Sequence, residues 1–497
     1  MEKETVGSII KRMKSAPRRN ELPGNPRYQP QPLVPYFGYD NMVKFQIEVE
    51  WALWRVLAKL GILSKEAAAL LTEDLKDRLY QEITTTLQDE VERKITQHDI
   101  RALVELIHEL VDKKLSIWIH IPATSYDIID TARIIAYKRA FWQVTFLALL
   151  KLVSILREKV VEFAGTVQIG RTHGQHAEPI TVGFWLATVL QRLIDVIEHL
   201  IEREAELVGK FSGPVGAYNC QVGLGFEEKA KTIFGKTFEK LVLEEVGLLP
   251  APISTQILPP EPLARFLFEY TLLSGVLAQL SLDCRQLQRA EIAEVGEPFD
   301  ATQTGSSAMP HKRNPKTFEH TQGMEINVKH EFGKVLEIFI SEHQRDLITT
   351  PVMREFPGII VFVQNQLDGL LRVFPKLSVD EAALNRNFHM NRHLVLSEAI
   401  YIALVMAGYE GDAHDLVNHT LVPRAQRSTC HIINELQFLS QEKPELRLQP
   451  VIDRIPKDLI ELLKTPENFT GKAKEKALEI AENAKKLLDK YNNPREP

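Results

Sequence analysis

The sequence predicts an all-α protein with a central bundle of long helices. Apolar residues recur at alternating steps of four and three over residues 186–200, and the same spacing returns over residues 266–287. Such steps form a coiled-coil-like seam along one helix face. Residues 141–155 are apolar on more than one face, which is typical of a helix covered on all sides. We therefore expect bundled helices, with the two seams buried in a large interface between subunits.

Length and composition limit the class of protein. The chain has 497 residues, too many for one ordinary core, and this length favours about two to four domains. Hydrophobic residues make up 44% and charged residues 25%, as in soluble globular proteins. The net charge of −6 argues against general binding to nucleic acid, which needs a basic face. No apolar run is long enough to span a bilayer, so no membrane partner is expected.

The cysteines and the first residues bear on location. Cys220, Cys284 and Cys430 lie far apart and fit no zinc or redox spacing, which favours a reducing compartment over secretion. The first residues mix basic and acidic side chains and lack the apolar core of a secretory signal. The acidic residues also argue against an organellar transit peptide. We expect a cytoplasmic protein.

Residues 1–36 form a basic, proline-rich N-terminal arm. A segment of this composition packs in an extended conformation or stays flexible. By composition, Arg27 and Tyr28 are surface residues of this arm. A helical pattern begins after residue 41, and Gly61 is expected to end that helix. Its apolar face has a spacing of four, in Phe45, Val49, Leu53 and Leu57.

Two polar segments precede long helical patterns. His98 and Asp99 stand before an amphipathic helix, where such a pair is most often a surface pair. Thr124 and Ser125 precede the next helix, and either is a good N-cap with Asp127 in the first turn. Capping alone explains these hydroxyls, so a structural and a binding role both stay open.

Residues 170–179 contain Gly, Thr and Pro at positions that break helices, and we expect a loop there. His173 and His176 have a spacing that metal sites use, but no thiolate or nearby acidic pair completes a site. A plain turn and a functional loop are the alternatives left. The segment 254–256, Ser-Thr-Gln, is likewise explained by a helix cap, and the turn at 212–216 is assigned no chemistry.

The most informative stretch is residues 305–315, which reads Gly-Ser-Ser-Ala-Met-Pro-His-Lys-Arg-Asn-Pro. Pro310 and Pro315 exclude a regular helix, so we expect a loop. Small residues leave its backbone amides free to surround an anion, and Lys312 adds positive charge. A basic surface turn is the alternative. Glu319 follows the loop near the start of the next helix, and Thr350 lies further along the chain. By composition alone, Arg345 and Arg354 are solvated helix charges.

Residues 305–315 resemble the signature loop of the fumarase/aspartase superfamily, and their ending is most similar to its adenylosuccinate lyase branch. Residues 170–179, 124–127 and 254–256 resemble further motifs of that branch, in the same order. The chain departs from the pattern in two places, where Gln97 replaces the usual arginine and Pro122 the usual glycine. Thr350 replaces a serine and keeps the hydroxyl.

The resemblance implies a three-domain fumarase/aspartase-like fold. The N-terminal helical domain with the arm would span residues 1–121, the central long-helix bundle with the signature loop residues 122–372, and the C-terminal helical domain residues 373–497. It also implies a homotetramer whose active sites are each assembled from three subunits. No metal and no organic cofactor are implied, since fixed charges stabilise the intermediate.

The resemblance further implies a reaction and residue roles. Members of the branch release fumarate from adenylosuccinate, giving AMP, and from succinylaminoimidazole-carboxamide ribotide, giving the carboxamide ribotide. Ser307 would be the base, His173 the acid, Lys312 the cation at the developing charge, and Glu319 the partner that orients His173. The residues implied to bind this small-molecule substrate are Arg27, Tyr28, His98, Asp99, Thr124, Ser125, Thr172, Gln256, Ser306, Met309, Asn314, Arg345, Thr350 and Arg354.

Two alternatives stay open. Another fumarate-releasing lyase of the superfamily, acting on argininosuccinate, aspartate or carboxymuconate, would keep Ser307 and Lys312 but would have no use for the Arg27–Tyr28 pair. A non-catalytic structural relative is the second alternative. The complete set of Ser307, His173, Lys312 and Glu319 argues against it.

Overall fold

The computed structural model describes residues 4–299 and 302–492, and most of its regular structure is helical. The predicted all-α class is confirmed. The chain forms two compact units, each assembled from separate segments. The first contains Met1–Leu149, Val196–Leu277 and Thr321–Asp368, and the second contains Leu150–Asp195, Ala278–His320 and Gly369–Pro497. The predicted division into three domains stays a prediction.

The first unit holds most of the shorter helices that precede the long ones. Its α-helices are Val6–Met13, Val34–Phe37, Val43–Lys59, Lys65–Ala68, Glu73–Glu82, Thr85–Val91, Asp99–Leu110, Lys113–Ser116, Ser125–Ala140, Asn219–Gly223, Phe226–Phe234, Phe238–Glu244 and Thr349–Met353. Short 3-10 helices lie at Pro26–Tyr28, Gln31–Leu33, Tyr39–Asn41 and Glu337–Phe339, and π-helical turns at Glu92–Thr96 and Phe141–Thr145.

Within the described residues, five long helices contain residues of both units: Phe146–Glu162, Val182–Ala205, Glu261–Leu287, Lys316–Leu336 and Pro357–Val373. The second unit adds Glu381–Met390, Ser397–Met406, Ala413–Asp415, Val422–Ser428, Ile432–Glu442, Gln449–Ile452, Lys457–Lys464 and Ala473–Asn492. It also has a π-helical turn at Leu416–Leu421 and 3-10 helices at Phe374–Lys376, Pro444–Leu446 and Pro466–Asn468. The helices between residues 397 and 464 share an apolar core of their own.

The helix Val43–Lys59 confirms the helix predicted from apolar residues at every fourth position. Phe45, Val49, Leu53 and Leu57 are all buried. Gly61 has a φ of +63°, a left-handed conformation that glycine adopts without steric cost at the end of a helix. Among the described residues, no helix combines the length and apolar character needed to cross a membrane.

The two predicted seams lie on long helices, but their expected role between subunits is wrong. Leu186, Leu190 and Leu200 of Val182–Ala205 are fully buried within this single chain. Phe266 and Leu280 of Glu261–Leu287 are equally buried. A side chain without accessible surface in one chain has none left to bury against another. The seams therefore form the internal core.

Residues 170–179, expected to be a loop, lie mostly in a β-hairpin. Val167–Thr172 pairs antiparallel with Gln175–Thr181, and His173 and Gly174 form the two-residue turn. Both turn residues have positive φ, 54° and 74°, as the turns that match the twist of a hairpin require. A second, shorter pair joins Val295–Gly296 to Ser378–Val379.

Candidate active site

In the first unit, His98 lies beside Ser125. His98 caps the helix Asp99–Leu110, and its Nδ1 accepts the N–H of Arg101 at 3.4 Å. Its Nε2 lies 3.4 Å from Ser125 Oγ. In the tautomer whose Nδ1 accepts this bond, Nε2 carries the proton and can donate to the serine hydroxyl. The imidazole is 52% exposed, so it can also contact a ligand.

Asp99 connects this pair to a distant segment of the same unit. Arg354 Nη2 donates to Asp99 Oδ2 at 3.5 Å, across 255 positions of sequence. One turn before Arg354, the Thr350 hydroxyl shares a hydrogen bond with Tyr126 Oη, next to Ser125. The structure therefore brings together predicted residues from three separate parts of the chain. We call His98, Asp99, Ser125, Thr350 and Arg354 the His98 cluster.

A cavity of about 380 Å³ adjoins Asp99 and Arg354. Tyr39 and Asp89 share a hydrogen bond in its wall, and the Arg19 guanidinium lies 4.8 Å from the centre of the Tyr39 ring. Burial raises the pKa of Asp89. Burial, together with the Asp89 contact, raises the pKa of Tyr39 to about 12. The sequence gives no signal for Tyr39 and Asp89, because neither belongs to a motif and 50 positions separate them.

Thr124 and Ser125 begin the helix Ser125–Ala140, as predicted. The Thr124 N–H donates to Asp127 Oδ2 at 2.9 Å, an arrangement typical of a capping box. Asp127 is fully buried. The cap therefore fixes the backbone beneath the two hydroxyls, and the Ser125 hydroxyl is the one that reaches His98.

Gln256 and Arg345 lie on two segments of the first unit that contact each other. The Gln256 N–H donates to the carbonyl of Gln344 at 3.3 Å. Arg345 has a φ of +87°, and its guanidinium donates to Ser341 Oγ at 2.6 Å. A positive φ is uncommon for arginine and is maintained only where the surroundings fix it. This segment thus holds Arg345 in one defined conformation.

The arm places Arg27 and Tyr28 in the 3-10 helix Pro26–Tyr28, where Asn25 Oδ1 accepts the Arg27 N–H at 2.9 Å. Arg27 is exposed and Tyr28 is half-buried. In the part of the first unit that the structure describes, no hydrogen bond or ion pair joins Arg27 to the His98 cluster. The predicted phosphate contact stays a prediction.

In the second unit, the hairpin presents Thr172 and His173 at its exposed tip. The strand just before the tip is anchored by Arg171, whose guanidinium donates to Glu294 Oε2 at 3.0 Å and to Oε1 at 2.5 Å. Glu294 is fully buried and also accepts from Gln168 at 2.8 Å. A bidentate, buried pair of this kind fixes orientation as well as position. The backbone two residues before His173 is therefore fixed in position.

The second histidine of the hairpin has a different environment. His176 is half-buried, and burial and the Arg171 charge lower its pKa. Its Nδ1 lies 3.3 Å from the amide nitrogen of Asn391. A neutral, hydrogen-bonded imidazole is better suited to support the hairpin than to donate a proton. Of the two histidines, His173 is the one available to a ligand.

The signature loop, residues 305–315, closes on itself through backbone contacts. Asn314 Nδ2 donates to the Gly305 carbonyl at 3.0 Å, and the Lys312 N–H donates to the Met309 carbonyl at 3.0 Å. A Cβ at Gly305 would lie 2.1 Å from the Lys312 carbonyl oxygen, so only glycine fits there. Asn314, predicted to bind substrate, thus also holds the loop together.

The closed loop leaves several predicted residues at its surface. Ser307, Met309 and Lys312 are exposed. Ser306 is half-buried, and its hydroxyl belongs to the internal bonding of the loop. The guanidinium of Arg313 packs 3.5 Å from the centre of the Phe299 ring. The loop can therefore offer a hydroxyl and an ammonium group to a bound anion.

Glu319 lies in the first turn of Lys316–Leu336 and is exposed, with Arg285 3.9 Å away. The predicted bond from Glu319 to His173 is not formed in the part of the chain that the structure describes. Glu319 as the partner of His173 stays a prediction. Over residues 4–299 and 302–492, no group of three or more His, Cys, Asp or Glu side chains is arranged to hold a metal ion.

The family model described as Lyase matches residues 30–329. An adenylosuccinate lyase from Pyrococcus horikoshii is 32% identical over 469 residues, 93% of this chain and 97% of that protein. One from Archaeoglobus fulgidus is 31% identical over 468 residues, 93% of this chain and 98% of that protein.

Among solved structures, the 3-carboxy-cis,cis-muconate lactonizing enzyme from Pseudomonas putida superposes with a TM-score of 0.77. It is 23% identical and covers 93% of this chain and 98% of its own. This likeness supports the fold.

Proposed function

Because the chain belongs to the adenylosuccinate lyase family of the fumarase/aspartase superfamily, we propose that it cleaves adenylosuccinate to AMP and fumarate. The observation that carries the proposal is the signature loop, which closes on itself while Ser307 and Lys312 stay exposed. The two adenylosuccinate lyases to which the chain is similar supply the substrate class. The same site would act on succinylaminoimidazole-carboxamide ribotide, since the succinyl group and the phosphate are shared.

The elimination moves one proton, one electron pair and one leaving group. Ser307, as an alkoxide, takes the proton from the carbon next to a carboxylate of the succinyl group. The electron pair left on that carbon forms the double bond of fumarate as the carbon–nitrogen bond breaks. The nitrogen of the purine product takes a proton from His173. Negative charge builds on the carboxylate before the bond breaks, and Lys312 and loop amides would stabilise it.

The His98 cluster would hold the substrate in the first unit. Ser125 and Thr124 offer hydroxyls at a rigid helix N-terminus, where backbone N–H groups favour an anion. Arg354 and Arg27 are exposed guanidiniums, and arginine suits bidentate binding of phosphate and carboxylate. The remaining substrate-binding residues would be Tyr28, Gln256, Arg345 and Thr350.

The active site is proposed to be shared between the subunits of a homotetramer. The support is a missing partner, because His173 and Glu319 form no hydrogen bond with each other among the described residues of one chain. An acid needs an orienting partner to hold its charged form. Assembly would supply that partner from a neighbouring copy of the chain.

An absorbance assay tests the proposal. Purified protein is given adenylosuccinate, argininosuccinate or aspartate, and fumarate release is followed, with Ser307→Ala as the matched control. We expect turnover of adenylosuccinate alone, and its loss in the control. Turnover of argininosuccinate or aspartate instead would assign the chain to another lyase activity. No turnover of any of the three would favour a structural relative.

A further inference from the structure

Asp127 has more partners than a helix cap requires. Its carboxylate, without solvent exposure, accepts the Thr124 N–H at 2.9 Å. It also accepts the N–H of Ser212 at 3.0 Å and the N–H of Gly213 at 3.2 Å, more than 80 positions away. The ammonium group of Lys210 donates to the same carboxylate. One side chain therefore joins the Thr124–Ser125 segment to the turn at residues 212–216.

Lys210 is as deeply buried as Asp127, so the pair is sealed from water. Its backbone is bound to the same helix, since its N–H donates to Thr131 Oγ1 at 3.2 Å and its carbonyl accepts the Thr131 hydroxyl at 2.9 Å. Burying two charges costs free energy that hydrogen bonds must offset. A sealed pair with this many backbone contacts is better explained by positioning than by stability.

The turn at residues 212–216 continues the link to the Ser254–Gln256 segment. Ser212 Oγ lies 2.6 Å from Ser254 Oγ. A Cβ at Gly216 would lie 2.1 Å from the Ser254 carbonyl oxygen, so these two backbones touch. Asp130, on the same helix as Asp127, accepts the Leu258 N–H at 2.9 Å. The helix thus holds residues 254–258 at both ends.

We infer that Asp127 and Lys210 are positioning residues that hold two substrate-binding segments in register, Thr124–Ser125 and Ser254–Gln256. That these two segments bind substrate rests on the proposed function. Neither side chain reaches solvent, so neither touches the substrate. They act through the backbone of the first segment and through the turn at residues 212–216 to the second.

The experiment measures amide hydrogen exchange in the unliganded protein and KM and kcat in the active protein. The variants are Asp127→Asn with Lys210→Met as a double variant, and Ser212→Ala alone. The matched control is Glu239→Gln. Glu239 accepts from Phe211 N and Tyr218 Oη, on the other side of the same turn, and does not contact Thr124.

In the double variant we expect faster exchange at residues 124–127 and 254–256 together. KM should rise about tenfold with a smaller change in kcat, because substrate contacts lose their geometry. In Ser212→Ala only residues 254–256 should exchange faster. In Glu239→Gln both segments should stay protected.

The inference is overturned if the double variant folds and protects both segments as the wild type does. If the double variant does not fold, Ser212→Ala decides, and unchanged exchange at residues 254–256 overturns the link. The exchange readout needs no turnover. A chain inactive on adenylosuccinate would therefore refute the proposed function and still test the positioning role.

Discussion

Ser306 and Ser307 are adjacent in the signature loop and have opposite environments. Ser306 Oγ accepts the N–H of Ala308 at 3.2 Å and the N–H of Met309 at 3.0 Å, so this hydroxyl is part of the turn. Ser307 is exposed. The first serine therefore shapes the loop, and the second is available for chemistry.

This difference predicts unequal effects of two alanine variants. Ser307→Ala should lose nearly all turnover and still bind substrate, because a base acts mainly in the transition state. Ser306→Ala should weaken the turn and cost much less turnover. Single-turnover kinetics with bound substrate measures the chemical step for both. A dead Ser306→Ala beside a normal Ser307→Ala would contradict the assignment of the base.

Substitutions of His173 and Ser307 should have non-additive effects on turnover, because the two residues are proposed to act in the same step. His173→Ala is expected to be nearly as severe as Ser307→Ala, and the double variant hardly worse than either, since residues that act together are not additive. The control is His176→Ala, whose imidazole is half-buried and hydrogen-bonded to Asn391. Equal losses in single-turnover rate for His173→Ala and His176→Ala would mean that His173 has no special role.

At the phosphate end, Arg27→Ala and Arg354→Ala should raise KM more than they lower kcat. A loss of about 1.4 kcal/mol in binding corresponds to a tenfold change, and we expect at least that for Arg354. The control is Arg101→Ala, which removes an exposed guanidinium that pairs with Glu105. Steady-state kinetics measures KM and kcat separately for each variant. Wild-type KM in both variants would remove the phosphate assignment.

The pair of His120 and Glu50 predicts a pH dependence of stability. His120 Nδ1 lies 2.7 Å from Glu50 Oε1. Burial opposes the charged imidazole, but the Glu50 carboxylate outweighs it and raises the pKa of His120 above the ordinary 6.5. The stabilisation is therefore fully present below the unfolded pKa and is lost as pH rises through the folded one.

Urea unfolding at a series of pH values measures this effect. The free energy of unfolding of the wild type should fall from pH 6 towards pH 9 more steeply than that of His120→Asn. Asparagine tolerates the φ of +62° at this position and does not titrate. Parallel curves for the two proteins would show that the pair contributes no pH dependence.

Local sequence patterns predict helices and short motifs. They do not predict contacts between residues that are far apart in the sequence. The face of Val43–Lys59 could be predicted from its spacing of four. Helix-breaking residues over 170–179 predict a loop, whereas the positive φ at His173 and Gly174 forms the turn of a hairpin. The contact of Tyr39 with Asp89 could not be predicted, because no motif contains them and only the tertiary fold brings them together.

For the two apolar seams, too, the sequence pattern predicts burial but not the partner that covers the helix face. A spacing of four and three says that a helix face is covered, but not whether the chain itself or another subunit covers it. The seam residues Leu186, Leu190 and Leu200 are buried within one chain, which removes them as an interface. The parts of the long helices that belong to the first unit expose the apolar side chains of Leu147, Phe268, Leu272, Ile326 and Leu336.

These exposed side chains give the last prediction, on assembly. Phe268 and Phe332 pack with ring centres 5.6 Å apart, so the helices Glu261–Leu287 and Lys316–Leu336 present one joined surface in the first unit. Leu272 and Ile326 are 40% and 56% exposed on those helices, and burying such side chains against a partner is favourable. Light scattering should give a mass near four times 56.6 kDa.

A charge on that surface should dissociate the assembly and stop catalysis together, because the site is proposed to be shared. Leu272→Asp and Ile326→Asp test this, since an unpaired buried carboxylate is costly in an interface. The control is Val222→Asp, an exposed apolar position on the short helix Asn219–Gly223. We expect smaller, inactive particles for the first two variants and an active tetramer for the control. A stable, active monomer would refute both the tetramer and the shared site.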